Sequence, residues 1–220
     1  MHPYSITGTR WRKVGYLMLI AVFIADFFNS NLTNLFSILP LLTENNIPSG
    51  LPTFSIFAVL YIAWNKYLWA FPIISKFTNP PDLRGTWVGG LESSYEQTQL
   101  GKFATDGGND VPDGPKMKIR QTWTHISVTI YFKDSVSTST TAAFLQDMTD
   151  PVLRINYRNR PEGGSGDDLI MHEGTNDLRY ENFENSCTLS GKYYTDEHRN
   201  NHGEVSFQRV DRNRLFGLTE

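Results

Sequence analysis

His198 and His202 stand four residues apart, the spacing that puts two imidazoles on one helix face where they can hold zinc. Asn200, Asn201 and Gly203 lie in and beside the pair. They mark a turn, where residues four apart share no face. His172-Glu173 is an isolated pair. The glycine-rich run Gly163–Asp168 lacks the lysine, and the strand-before, helix-after setting, of a phosphate-binding loop. Cys187 is the only cysteine, so no intrachain disulfide can form. Without a paired histidine signature it reads as a small buried residue rather than a nucleophile. No nucleophile elbow occurs. The reactive residues therefore point away from an enzyme, and from any metal or cofactor.

Asp26 and Lys66 are a different matter, because each interrupts an apolar segment. Val14–Phe28 is apolar but for Asp26, a polar patch follows at Asn29–Asn34, and apolar residues resume to Leu42. The second segment, Leu51–Ile74, carries Lys66 alone. A helix needs about 20 mostly apolar residues to cross a bilayer. The second segment meets that length; the first meets it only by continuing through Asn29 and Asn31 to about Phe36. The pair reads as a transmembrane hairpin. A signal peptide would share the basic flank Arg10, Arg12 and Lys13, but no small-x-small cleavage site follows. A buried helical pair in a soluble protein is the other alternative. Charged groups inside a membrane are expensive and point to function. Asp26 pairs with Lys66, or meets polar groups across an oligomer interface, or opens a water-filled defect when copies assemble. If the helix stops near Phe28, it sits at the lipid interface instead. Lys66 with Trp64, Tyr67 and Trp69 fits an interfacial belt equally well.

Basic residues flank the hairpin at both ends, Lys76 and Arg84 on the far side, while the loop Thr43–Gly50 has Glu44 and no cation. Basic flanks stay in the cytoplasm, which puts both termini there. The composition changes at Asn79-Pro80-Pro81, dividing the chain into 1–79, with two transmembrane helices, and 80–220, a soluble ligand-binding unit. The first 80 residues carry five basic and two acidic side chains; the rest carry fifteen basic and twenty-one acidic. Such an acidic balance disfavours polymeric nucleic acid, which needs a basic face.

After Pro81 the pattern has period two, as in Ile126, Val128, Ile130 and Phe132, or Leu153, Ile155 and Tyr157. Turn residues divide it into eight strands: Thr86–Tyr95, Met117–Trp123, His125–Phe132, Val136–Leu145, Val152–Tyr157, one near Leu169–Glu173 or slightly later, Thr188–Tyr194 and Glu204–Arg209. The expected fold is an N-terminal two-helix transmembrane hairpin plus an all-β domain, an eight-stranded lipocalin-like up-and-down barrel. Arg84-Gly85-Thr86-Trp87 opens the first strand with Gly-x-Trp, as lipocalin-like barrels do. If Trp87 points inward, Gly89, Leu91, Ser93 and Tyr95 do too. The interior then turns polar toward Tyr95, as in a ligand cup, unless Tyr95 is a rim residue with its hydroxyl in water.

The chain resembles the membrane-anchored β-barrel effectors of bacterial CBASS anti-phage systems. The resemblance rests on the anchor-then-barrel order and on short strings in sequence. These are Arg84-Gly85-Thr86-Trp87 with Ser93-Ser94-Tyr95, Ile119-Arg120-Gln121-Thr122-Trp123, Leu153-x-Ile155-x-Tyr157-x-Asn159-x-Pro161, Met171-His172-x-Gly174-Thr175, Gly191-x-Tyr193-Tyr194-Thr195 and Gly203-x-Val205-x-Phe207-x-Arg209. Thr195-Asp196-Glu197 departs from the family's Thr-Gly-Arg type of turn.

The resemblance implies a receptor. A CD-NTase makes a cyclic dinucleotide on infection, the barrel binds it, the protein assembles with itself in the inner membrane, and the bilayer is disrupted. Growth arrest or cell death follows. Such a ligand needs forked donors for phosphate and aromatic faces for its bases. Arg120 is the candidate for phosphate, as the planar fork on the second strand, and Tyr95 for stacking. Ser93 or Ser94, Thr122, Tyr157 and Asn159 could supply hydroxyl or amide contacts. Alternation puts Arg120 and Gln121 on opposite faces without saying which is inside, and Asn159 reads equally as a turn residue before Pro161. A membrane-tethered carrier or sensor of a lipid or other metabolite, or a scaffold binding only protein, are the competing classes.

Overall fold

A computed structural model describes residues 1–7, 11–36, 50–78, 81–94, 99–100, 114–146, 150–161, 171–183, 186–197 and 200–211. Contacts divide the chain into two units, Met1–Gly8 with Asp82–Glu220, and Thr9–Pro81. The expected division at residue 79 thus misses the first residues, which belong with the sheet.

That sheet is a closed barrel. Its elements are β1 (His2–Ile6), β2 (Gly85–Ser93), β3 (Gln99–Leu100), β4 (Lys116–Gln121), β5 (His125–Tyr131), β6 (Ser135–Leu145), β7 (Val152–Pro161), β8 (His172–Phe183), β9 (Ser186–Thr195) and β10 (His202–Asp211). From β4 to β10 each strand pairs antiparallel with the next. β2 pairs with β4, and β10 returns to β2 from Gly203↔Ser93 to Asp211↔Thr86. Closure leaves few free edges. Gly85 opens β2 at φ 133°, a conformation that glycine adopts without steric cost.

The ring holds nine strands rather than the expected eight, because β1 is wedged between β5 and β6. It runs antiparallel to β5 (His2↔Ile126) and parallel to β6 (Tyr4↔Ala142 to Ile6↔Phe144). β5 and β6 pair directly only from Thr129↔Thr138 to Tyr131↔Val136. Beyond that a register shift between Ser139 and Thr141 bends β6 away. Where the ladder splits, the Ser139 hydroxyl accepts from the Val128 N–H at 2.9 Å and lies 2.8 Å from the His2 ring. A buried backbone donor thereby keeps a partner. β3 is a short addition to the end of β2, and β8 runs well past the strand expected near Leu169–Glu173.

Side chains alternate as a barrel requires. On β7, Leu153, Ile155, Tyr157 and Asn159 are buried, while Arg154, Asn156, Arg158 and Arg160 are exposed. Apolar residues fill one end and the middle, around Trp87, Met117, Ile119, Ile126, Phe144, Leu153, Leu178 and Phe207. The interior then changes character along the axis. Leu153 and Ile155 give way to Tyr157 and Asn159, Leu178 to Asn176 and His172, and Phe144 to Ser139, Ser137 and Ser135.

The apolar end is capped by hydrogen bonds. The Trp87 indole donates to the Leu83 carbonyl at 3.1 Å, and the Leu83 N–H donates to Gln121 Oε1 at 2.9 Å. Gln121 Nε2 donates to the Tyr4 hydroxyl at 2.8 Å. The Arg209 guanidinium lies 4.6 Å over the Trp87 ring and donates to the Asp82 carbonyl at 2.6 Å. The chain leaves this end after Thr7, whose N–H donates to the Phe144 carbonyl, and rejoins the barrel at Asp82.

The second unit contains α1 (Trp11–Phe36), α2 (Gly50–Lys66), a 3₁₀ turn at Leu68–Ala70 and α3 (Pro72–Thr78). α1 runs unbroken through Asn29 and Asn31, and Val14–Asn31 is long and apolar enough to cross a membrane. It is the one such helix among the described residues. The two-helix hairpin is therefore not met by length: Leu51–Ile74 is divided, with the apolar stretch of α2 limited to Phe54–Lys66. Pro72 explains the division. Proline lacks an N–H, and it holds Phe71 extended, at ψ 138°. α1 packs against α2. Leu19, Ile20, Phe23, Ile24, Phe27 and Phe28 remain exposed, an apolar surface of the kind that marks a membrane or partner contact.

Candidate ligand-binding site

The polar end of the barrel opens into a cavity of about 220 Å³ between the described residues. Its floor is apolar: Leu91 of β2, Ile130 of β5, and Val205 and Phe207 of β10. Its walls are Ser135 and Ser137 of β6, Tyr157 and Asn159 of β7, His172 and Asn176 of β8, and Tyr193 and Thr195 of β9. Ser93, Asn201, Lys133 and Asp134 complete the lining. All the walls come from the inward positions of regular strands, so the period-two pattern that builds the core also builds the site.

Several wall residues hold one another. Asn159 Nδ2 donates to Ser135 Oγ at 3.0 Å and to Ser137 Oγ at 2.9 Å. Its Oδ1 is buried and has no hydrogen-bond partner among the described residues. The Tyr157 and His172 rings meet edge-to-face, centroids 6.5 Å apart. Gly174 is paired with Tyr157 across β7 and β8. A Cβ at Gly174 would fall on the Tyr157 hydroxyl and 2.5 Å from its ring, so the missing side chain makes room for the aromatic wall. At the rim, Ser93 and Ser94 donate to Asn201 Oδ1 at 3.1 and 2.7 Å. The Asn201 N–H donates to Thr195 Oγ1 at 2.7 Å. Thr195-Asp196-Glu197 therefore has a structural task, clasping the start of β10; Asp196 also accepts from the Glu173 N–H at 3.0 Å.

The charges lie outside. Lys133 and Asp134 are exposed at the mouth, on the β5–β6 turn. Glu173 faces outward and pairs with Arg158 at 2.6 Å. Among the described residues no arginine lines the cavity, and Lys133 is the one lysine that does.

Of the residues nominated from sequence, Ser93, Tyr157 and Asn159 come together in the cavity. Arg120 does not. Its neighbours Ile119 and Gln121 are the buried ones, so Arg120 lies on the outer face of β4, away from the mouth. Thr122 sits in the β4–β5 turn, where its hydroxyl accepts from the His125 N–H at 3.0 Å. Tyr95 and the Gly163–Asp168 loop lie outside the described residues. Asp26 and Lys66 are both exposed, and no ion pair among the described residues joins them. His172, Asn176, Tyr193, Asn201 and the two serines were not assigned to the site from sequence. Parity marks three of them, His172 and Asn176 in register with Leu178 and Tyr193 with Leu189, whereas the serines lie across a register shift from Phe144 and Asn201 precedes β10.

Apolar floor, aromatic walls and neutral hydrogen-bonding groups suit a flat polar ring held reversibly. The model of the family described as "Cap15, cyclic dinucleotide receptor domain" matches residues 78–209, well over half of the chain and nearly all of β2 to β10. The chain belongs to this family. A relative from Yersinia aleksiciae, CD-NTase-associated protein 15, is 28% identical over 222 residues, covering 96% of this chain and 98% of its own length. The CBASS resemblance thus holds, and the Cap15 domain is that of a receptor. Its matched span includes every residue that lines the cavity.

Proposed function

We propose that this protein is a non-enzymatic CBASS effector whose barrel cavity receives a cyclic dinucleotide made by a CD-NTase. Binding then drives self-assembly of the α1–α3 units in the bacterial inner membrane, with disruption of the bilayer and arrest of the infected cell. The observation that carries the reading is the cavity between Tyr157, Asn159, His172 and Tyr193, within a domain whose family is a cyclic dinucleotide receptor. The acidic balance of the barrel speaks against polymeric nucleic acid. The lining is largely apolar and aromatic, which suits the flat face of a base, and the serine and asparagine groups supply a few orienting hydrogen bonds.

A two-crossing anchor has its own support. Thr9–Pro81 begins and ends at one barrel, since β1 precedes it and β2 follows it. A segment that starts and finishes on one side of a membrane crosses it an even number of times. α2 spans 17 residues, about 25 Å at ~1.5 Å per residue. That is slightly short of a ~30 Å hydrocarbon core, a mismatch that local thinning accommodates. Both barrel and termini then face the cytoplasm.

The test is the thermal stability of the full chain in lipid nanodiscs, against a panel of cyclic dinucleotides and, separately, fatty acids. A ligand at a hundred times its dissociation constant adds about 2.7 kcal/mol. Stabilisation by fatty acids alone would overturn the reading in favour of a carrier.

A further inference from the structure

We propose that a single nucleobase of the cyclic dinucleotide enters the cavity, where Asn159 reads its hydrogen-bonding edge, while the phosphodiester ring stays at the mouth beside Lys133. This rests on the receptor reading above and concerns how the ligand sits.

Size is the first argument. Pockets that engulf a drug-sized ligand run from about 300 to 1,000 Å³, and this one is about 220 Å³. Between the described residues there is space for one flat ring system, with the rest of a larger ligand at the open side.

Charge is the second. Two phosphates taken out of water need cationic or multiple N–H partners. Among the described residues, the lining below the mouth has no arginine or lysine. At the mouth the exposed Lys133 stands beside the equally exposed Asp134, so the described lining places its cation at the rim and not in the depth. The deep part, by contrast, suits a base: the Phe207 and Ile130 floor supplies apolar contact.

The third argument is the Asn159 amide. The residue is 3% exposed, and both Nδ2 hydrogens are used on the two serine hydroxyls. Oδ1 is left over, buried and without a partner among the described residues. An orphaned acceptor inside a protein is costly until a donor meets it, and the exocyclic amines and imino N–H groups of nucleobases are such donors. A base with a donor at the right edge gains that bond; one presenting only acceptors there leaves the cost standing. Asn159 is thus the residue that sets base preference.

The experiment is calorimetric titration of the full chain in nanodiscs with 3′,3′-cyclic dinucleotides bearing two adenines, two guanines or two uracils, and with the mixed-base compounds. One preferred base is expected, by about 10-fold or more. A mixed ligand carrying that base once should bind about half as tightly as the ligand carrying it twice, the statistical factor for one readable base in two. Asn159→Ala should compress the preference to within about 3-fold, with a melting temperature showing that the barrel is folded. Lys133→Ala should weaken every member alike, by about 5-fold or less, as a screened surface contact does. If the mixed ligand loses the full discrimination, both bases are read and the proposal fails. If Asn159→Ala weakens all members equally, the edge-reading role fails. If wild type binds none of them, the receptor reading falls first and takes this one with it.

Discussion

Gln121 donates a hydrogen bond to the hydroxyl of Tyr4 at 2.8 Å, across 117 residues of chain. The other end of the same amide accepts from the Leu83 N–H. Tyr4 lies in the strand before the helices and Leu83 just after them, so one side chain joins the two barrel segments that flank the helical unit in the chain. The ligand mouth is at the opposite end of the barrel. In the chain, β1 is the strand that leads into α1.

Gln121→Ala should therefore act on stability and not on binding. It strands the Leu83 N–H and removes the bond to Tyr4, a loss of about 2–4 kcal/mol for buried groups left unpaired. Chemical denaturation of the full chain should show that loss, while affinity for the cyclic dinucleotide stays within about twofold. A large drop in affinity at unchanged stability would contradict the separation of the two ends.

Burial pushes the Tyr4 hydroxyl up to about 12 from its ordinary value of 10. The neutral form is the one the fold favours. Its contribution is therefore complete below pH 10 and is lost as pH rises through about 12, on the order of 2 kcal/mol in all. Stability of wild type against pH should show this alkaline decline, and Tyr4→Phe should flatten it. An identical decline in Tyr4→Phe would place the titrating group elsewhere.

Gly174→Ala puts a methyl group on the Tyr157 ring and near the Tyr194 carbonyl. The barrel should lose about 1–3 kcal/mol, and ligand affinity should fall as the aromatic wall shifts. Adding Tyr157→Phe removes the hydroxyl the methyl strikes, and should restore part of the stability. Melting curves of the two variants check this.

Arg120→Ala should leave ligand affinity within about twofold of wild type, since Arg120 lies on the outer face of β4. Asp26→Ala should leave binding intact and reduce growth arrest in cells making the signal, if the carboxylate serves the assembled membrane unit. Toxicity equal to wild type would make Asp26 an interface residue only.

The eight strands expected from alternation each have a counterpart, because a half-buried strand writes its burial into every second residue. β1 escaped for a physical reason. His2–Ile6 is short, contains Pro3, and is held by neighbours more than a hundred residues away that no local pattern reveals. At Arg120 alternation left the inward face open: Arg120 shares the outer face of β4 with Lys116 and Lys118, and the closed end takes the neutral amide of Gln121 inside. The division of Leu51–Ile74 has its signal at Pro72, a residue that an apolar run alone does not single out. The cavity wall was half legible. Tyr157 and Asn159 stood at the end of an inward apolar series, whereas Ser135, His172 and Tyr193 gained meaning only when the strands were brought side by side.

The most direct measurement is binding of cyclic dinucleotides to the full chain and to Tyr157→Ala, by calorimetry in nanodiscs. One site per chain is predicted for wild type, with Tyr157→Ala weaker by about 1–3 kcal/mol, the range for loss of an aromatic partner to a base. Heats indistinguishable from buffer for every cyclic dinucleotide, or wild-type affinity in Tyr157→Ala, would contradict a ligand seated in the barrel.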